Sequence, residues 1–414
     1  MNMTWRIIVA LASAAVLTTV AAHAQQPPET EKPKQLKIEL PPPERERQPE
    51  GFIDRMEDKA EEFADKTQIV ERLSGDIDGW YPRLGGMTRG SGFALGPGYR
   101  THVAGGRLFV DLSAGISLKG YKAADANVRW LQALDDRVEL WTDFRYEDFP
   151  QEDFFGMGSA SRRENRTSYD FDSSDIGVRG LVLPTEWLRA GAIVGYLQPE
   201  IGPGTDRAYP SIDQLFTDAD APGLLAQPSF LHTTVFGEIN YLDQRGNPAS
   251  GGFYRAAIGW WDDRTLEQFD HKRFDALATQ YFPLVPSRRH VVSGRLGTTY
   301  VNNETGERVP FYFLGYVGGV DTIRGYREFR FKDENAIWTG VEYKWTLHDY
   351  FSVVTFLDAG EVDPDWADVD LSGLKTGYGF GVRVHSDKQT FARIDFGTGG
   401  GEGWQVFVKL GPRF

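Results

Sequence analysis

From about residue 75 to the end of the chain, apolar and polar side chains take turns in segment after segment. Leu108, Val110, Leu112, Ala114 and Ile116 alternate with Asp111, Ser113 and Ser117. Val138, Leu140, Phe144 and Tyr146 alternate with Glu139, Trp141, Asp143 and Arg145, and Phe380, Val382 and Val384 with Gly379, Gly381 and Arg383. A period of two puts successive side chains on opposite faces of a strand. In a soluble sandwich the inner faces must be apolar. Here each strand carries one apolar face and one charged or small face, the arrangement of a closed sheet with lipid outside and water inside. The fold class expected is an all-β, antiparallel transmembrane barrel.

Both ends of the chain agree. Val406, Val408, Leu410, Pro412 and Phe414 fall on one side of the last segment, with Gln405, Lys409, Gly411 and Arg413 opposite and only Phe407 out of step. A strand that runs to a terminal aromatic is typical of bacterial outer-membrane barrels, whose aromatic girdles lie at the membrane interface. At the other end Arg6 precedes an apolar run from Ile7 to Val20, followed by Ala22-His23-Ala24. This reads as a secretory signal (1–24), cleaved near Ala24. Residues 25–49, with Pro41-Pro42-Pro43 among charges, read as a linker. Between 50 and 74 the period changes: Ile53, Met56, Ala60, Phe63 and Val70 recur every three or four residues opposite acids. That is an amphipathic helix, expected to brace the periplasmic rim or to plug the pore.

Composition excludes several alternatives. Mean hydropathy is −0.41, and beyond the signal no run approaches the ~18 apolar residues of a spanning helix. The 11 Trp, 17 Tyr, 27 Phe and 46 Gly suit girdles and tight turns. Without cysteine there is neither a disulfide framework nor a thiol nucleophile. A formal charge of −14 argues against nucleic acid as a partner. Seven scattered His show no metal-ligand spacing, and no nucleophile elbow or phosphate loop occurs. Gly377, Gly379 and Gly381 lie in a strand rather than before a helix, and the acids from Glu147 to Asp153 read as solvated loop. No enzyme activity, cofactor or metal is therefore expected.

About sixteen strands can be drawn, near 90–100, 106–119, 121–133, 137–149, 168–182, 187–198, 230–243, 252–263, 268–282, 289–301, 308–318, 334–346, 350–361, 375–386, 389–399 and 403–414. Long connections at 150–167, 199–229 and 319–333 fall on alternate turns, as for a barrel with one elaborated end.

One long connection carries a motif. Gly318-Gly319-Val320-Asp321-Thr322-Ile323-Arg324-Gly325-Tyr326 resembles the signature of the BamA/TamA superfamily, the bacterial surface antigen barrels. Gly340-Val341-Glu342-Tyr343-Lys344 and Phe356-Leu357-Asp358-Ala359-Gly360 resemble its next two strands. Asp243 with Pro248 to Gly252 resembles its mid-barrel turn, and Phe154 to Gly158 an early loop. The resemblance spans residues 75–414. It implies that Ile323, Arg324, Gly325 and Tyr326 lie on a sixth loop folded back into the barrel, and that Phe414 is the C-terminal assembly signal. Parity then supplies partners, because Glu342 opposes Val341 and Tyr343, and Asp358 opposes Leu357, so both acids face inward. A guanidinium brought into a lumen needs such carboxylates.

The resemblance further implies residence in the Gram-negative outer membrane and an accessory role in outer-membrane protein or lipid insertion, translocation or membrane remodelling. A passive or gated diffusion pore and a non-catalytic surface barrel are the alternatives. Implied partners are outer-membrane lipids and lipopolysaccharide, the barrel-assembly machinery during biogenesis, and a client outer-membrane protein. Residues 25–74 are too few for one POTRA module, so a barrel-only member is expected. In the family the first and last strands meet at a weak seam. Gly90, Gly92, Gly96, Pro97 and Gly98 in the first strand, and Pro412 in the last, are expected to weaken it here.

Overall fold

The computed structural model describes residues 77–85, 87–88, 91–133, 137–303, 306–366 and 373–410. The signal, the linker, the 50–74 helix and Phe414 lie outside these. Alternating segments pair in chain order into one 16-stranded antiparallel sheet. The first strands are β1 (Gly79–Gly85), β2 (Ala94–Val103), β3 (Leu108–Ser117), β4 (Lys122–Ala133), β5 (Val138–Phe154) and β6 (Thr167–Thr185). Then come β7 (Leu188–Pro203), β8 (Phe230–Asn240), β9 (Gly251–Asp263), β10 (His271–Pro283) and β11 (His290–Asn303). Two short strands, β12 (Gly315–Val317) and β13 (Phe331–Asp333), form a separate hairpin within the sixth long-end loop. The sheet resumes with β14 (Asn335–His348), β15 (Phe351–Asp363), β16 (Lys375–His385), β17 (Thr390–Thr398) and β18 (Trp404–Leu410).

The barrel class and strand number are as expected, although two misreadings cancel in the count. β1 is absent from the expected set, and 308–318, expected as a barrel strand, is not one. β1 is short, bounded by glycines and interrupted by Pro82, so it offers little alternation. The segment around Phe311 is apolar for another reason. Val309, Phe311 and Leu314 pack with Phe154, Tyr169 and Ile212 in a buried cluster where the long loops meet. The Phe311 ring lies 5.0 Å from Phe154 and 4.9 Å from Tyr169, edge on in both contacts. Each such fully buried aromatic contributes roughly 1.5–3 kcal/mol.

The outward face carries the apolar set. Ile176, Val178, Val341, Leu357, Val406 and Val408 are all more than half exposed, as lipid-facing residues of a barrel are. Trp187, Tyr241, Trp345 and Tyr350 ring the short-turn end, while Trp260, Tyr300, Tyr378 and Trp404 ring the long-loop end. Inward positions are small or charged, and many of the charges are paired. Arg145 Nε, for example, reaches Asp125 at 2.9 Å. The acids of 147–153 are a correction, since they belong to the long strand β5 rather than to a loop. Asp148 faces outward beside Asp170 and Asp172, while Glu152 is buried.

Candidate functional site: the sixth loop and the seam

Two glycines with positive φ, Gly318 (+115°) and Gly319 (+99°), turn the chain after β12 back into the barrel, a conformation that costs other residues steric strain. Thr322 Oγ1 closes this turn, accepting from Gly318 N at 2.8 Å and donating to Gly318 O at 2.9 Å. Ile323 and Arg324 follow, 0% and 1% exposed. Arg324 Nε donates to Asp358 Oδ2 at 2.8 Å, Nη2 to Oδ1 at 2.9 Å, and its backbone N to Oδ2 at 3.1 Å. The fork is bidentate, the strongest geometry for this pair. Nη1 donates to Glu342, and the guanidinium lies 3.5 Å from the centre of the Phe356 ring. Both inward acids chosen by parity thus meet the same arginine.

Glycines in the wall make room for the loop. Asp358 pairs across the sheet with Gly340 on β14 and Gly377 on β16, so neither neighbour crowds the carboxylate. A Cβ on Gly377 would lie 2.7 Å from Gly325 N, and one on Gly397 only 1.9 Å from Arg324 O. The loop backbone therefore rests directly on bare strand. Tyr326 packs edge on against Phe331 at 5.3 Å and is 4% exposed.

One further wall residue, Arg295 on β11, joins the cluster without having been expected there. Its Nη2 donates to Asp358 Oδ1 and to Thr322 O, both at 2.9 Å, and its Nη1 to Asp321 O at 3.1 Å. The signal was available, because Leu296 and Tyr300 face outward and put Arg295 inside. Farther along the wall, Arg383 reaches Glu342 at 3.3 Å and Asp395 at 2.8 Å, and Arg393 also pairs with Asp395. Lys409 Nζ on β18 bonds Asp321 Oδ1 at 3.0 Å, tying the last strand to the loop.

The seam differs from the expectation in its residues. The edge strand is β1, so Gly96, Pro97 and Gly98 lie in the second strand; Gly90 and Pro412 are outside the described residues. Pro82 faces Pro97 across β1 and β2, and neither has an N–H to give to the ladder. Inward side chains compensate. Tyr81 donates to Asp111 and lies under the Arg100 guanidinium at 3.8 Å, while Arg83 reaches Ser113 at 3.1 Å and Asp125 at 2.7 Å.

Between β1 and β18 no ladder forms among the described residues; they are the two ends of the sheet. Their close approach is at Gly85, where a Cβ would lie 3.0 Å from Leu410 O. Gly85 is the long-loop end of its strand and Leu410 the short-turn end of the other, so the pinch leaves the edge of β18 largely unpaired. Beside that edge lies a cavity of about 820 Å³, lined by Gln405 to Leu410, by Met87 and Phe93, and by the charged Glu152, Asp153, Arg166 and Arg327.

This architecture can be set beside known proteins. The barrel of BamA from Haemophilus ducreyi, in a structure lacking POTRA domains 1–3, superposes with a TM-score of 0.60 at 14% identity, covering 81% of this chain and 70% of that one. CdiB from Escherichia coli gives 0.52 at 13% identity, covering 79% and 61%. At these identities the likeness concerns the fold. No curated protein sequence matches the chain. The Omp85 superfamily domain, however, matches residues 113–402, well over half of the sequence. The chain therefore belongs to the Omp85 superfamily of outer-membrane barrels.

Proposed function

We propose that this barrel acts as an accessory in the insertion or translocation of outer-membrane proteins or lipid, and that it does so at its seam. The observation that carries this reading is that no ladder joins β1 and β18 among the described residues, together with the charged cavity beside them. Unpaired strand edges recruit other strands, and hydrocarbon tolerates no unsatisfied backbone. An edge left open at membrane depth therefore disorders the lipid beside it or takes up a polypeptide. Barrels of this superfamily reside in the Gram-negative outer membrane, which supplies both lipid and client. The motif residues Ile323, Arg324, Gly325 and Tyr326, with Glu342 and Asp358, hold the inner wall on the C-terminal side while the seam works.

The test uses the cysteine-free background. Cysteines replace Leu84 and Leu410, which face outward beside the pinch, and the protein is reconstituted into liposomes. The reduced protein should accelerate membrane insertion of a urea-unfolded outer-membrane barrel, and the oxidised, seam-locked protein should not. Equal rates for reduced protein, oxidised protein and empty liposomes would refute the proposal. A gated pore is the competing reading, favoured by the polar inner wall of Arg83, Arg145, Asp125 and Arg255. It requires ion conductance that survives the seam lock.

A further inference from the structure

The turn joining β8 to β9, Tyr241 to Ser250, takes no part in the sixth-loop lock or the seam. Asp243 organises it. Its Oδ1 accepts from Gln244 N at 2.9 Å, Ala249 N at 3.0 Å and Ser250 N at 3.1 Å, and Arg288 reaches its Oδ2 at 2.8 Å. These bonds fix the base of the turn and present its tip, Gly246-Asn247-Pro248, away from its own hairpin.

The tip docks on the far side. Gly246 forms a parallel bridge with Gln389, and Thr390 N donates to Gly246 O at 3.0 Å. Asn247 Nδ2 donates to Ser386 O at 3.0 Å. Lys344 Nζ donates to Asn247 Oδ1 at 2.8 Å and to Pro248 O at 3.0 Å. Lys344 belongs to β14, Thr390 is the first residue of β17, and the other partners belong to the turn between β16 and β17. In barrel order these strands lie well beyond the neighbours of β9, so the contact crosses the short-turn mouth. It also depends on the absence of a side chain: a Cβ on Gly246 would lie 2.3 Å from Gln389 Oε1 and 2.6 Å from Lys388 O.

We infer that this turn is an inner gate, a strap across the short-turn mouth that controls the entry of water and small hydrophilic solutes to the lumen. The two mouths are then governed by different segments, the long-loop end by the packed loops and the short-turn end by the strap. The inference stands whether or not the seam inserts clients. Lys344 is its latch. With the strap undocked, an inward ammonium loses two acceptors, which favours the closed state until something else supplies them.

The experiment reads access to the lumen. Ser293 faces inward on β11 opposite Glu342, and Ser293→Cys reports entry of a small, charged, membrane-impermeant maleimide into proteoliposomes. In one protein Asn247→Cys and Ser386→Cys are added to lock the strap. The pair should oxidise readily in folded barrel, and locking should slow labelling of Ser293→Cys by about tenfold relative to the reduced protein, the scale of one hydrogen bond to a charged group. Gly246→Val, with no locking pair, should speed labelling by a similar factor while keeping heat-modifiable migration. Failure of the pair to oxidise in folded barrel overturns the docked placement. Equal labelling of locked and reduced protein, or of Gly246→Val and its parent, overturns the gate.

Discussion

Replacing Asp358 by Ala should harm the barrel more than replacing its partner Arg324, although the two residues share the same bonds. Seven charged side chains meet at this part of the wall. Arg295, Arg324, Arg383 and Arg393 face Glu342, Asp358 and Asp395. Four cations against three anions leave one positive charge in excess. Arg324→Ala removes that excess: Asp358 keeps Arg295 at 2.9 Å and Glu342 keeps Arg383 at 3.3 Å. The loss is that of hydrogen bonds to charged groups, roughly 1.5–3 kcal/mol. Asp358→Ala instead raises the excess to two and strips the carboxylate from Arg295 and Arg324, which are only 19% and 1% exposed at their side chains. A buried pair broken in this way costs about 3–5 kcal/mol. Urea unfolding in detergent micelles, followed by tryptophan fluorescence, measures both variants and the double variant. The double variant should cost clearly less than the sum of the singles. Costs that add within about 0.5 kcal/mol, or an Arg324→Ala loss larger than that of Asp358→Ala, would refute the charge argument.

Other expectations are as direct. The mature protein should fractionate with the outer membrane and migrate heat-modifiably, and deleting Phe414 should lower the yield of folded barrel without reducing the stability of what has folded. Arg83→Met removes a partly exposed ion pair with Asp125 and should cost at most about 1 kcal/mol; hydrogen exchange should nevertheless rise selectively in β1, which has Pro82 opposite Pro97. Burial raises the Asp243 carboxyl, but the amides of Ala249, Ser250 and Gln244 and the Arg288 guanidinium outweigh it and hold the group below its usual range. The stabilisation is therefore complete above the unfolded value near ~3.9 and is lost as pH falls through the lower folded value. Proteolytic nicking between Tyr241 and Ser250 should appear only in acid, whereas Asp243→Asn should show it at neutral pH. Cysteines at Phe63 and Arg383 should fail to crosslink while cysteines at Phe63 and Asp349 succeed, as for a helix bracing the rim; efficient pairing with position 383 would make it a plug.

Much of the wall was legible because a period of two leaves no choice of face. Once Val341 and Leu357 are assigned to lipid, Glu342 and Asp358 must point inward, and Arg324 on an inward loop must find them. What could not be read was set by contacts distant in sequence. The Phe311 segment has strand composition, yet the cluster around Phe154 and Ile212 draws it out of the sheet. β1 has almost no pattern of its own, being held by Tyr81 and Arg83 reaching partners on strands that follow. Arg295 obeys parity as well as Glu342 does, but nothing in its own segment marks it as a neighbour of Asp358. The acids near Asp148 suggested solvated loop, because β5 continues past the length a membrane requires and its sequence there loses the lipid-facing pattern.

The spacing of these bonds along the chain bears on the order in which the barrel forms. Arg324 finds Glu342 18 residues ahead and Asp358 34 ahead. Docking the strap joins Asn247 to Ser386 across 139 residues, and bringing Gly85 to Leu410 spans almost the whole sheet. Loop-closure entropy rises with each of these distances, and ordering a distant contact early is slow. The sixth loop with β14 and β15 can therefore consolidate first, as a charged template on which β16 and β17 lay their bare glycines. Strapping of the mouth should follow. Contact between the two edge strands, which has the longest loop to close and, among the described residues, no ladder to reward it, should come last and be the first to be lost.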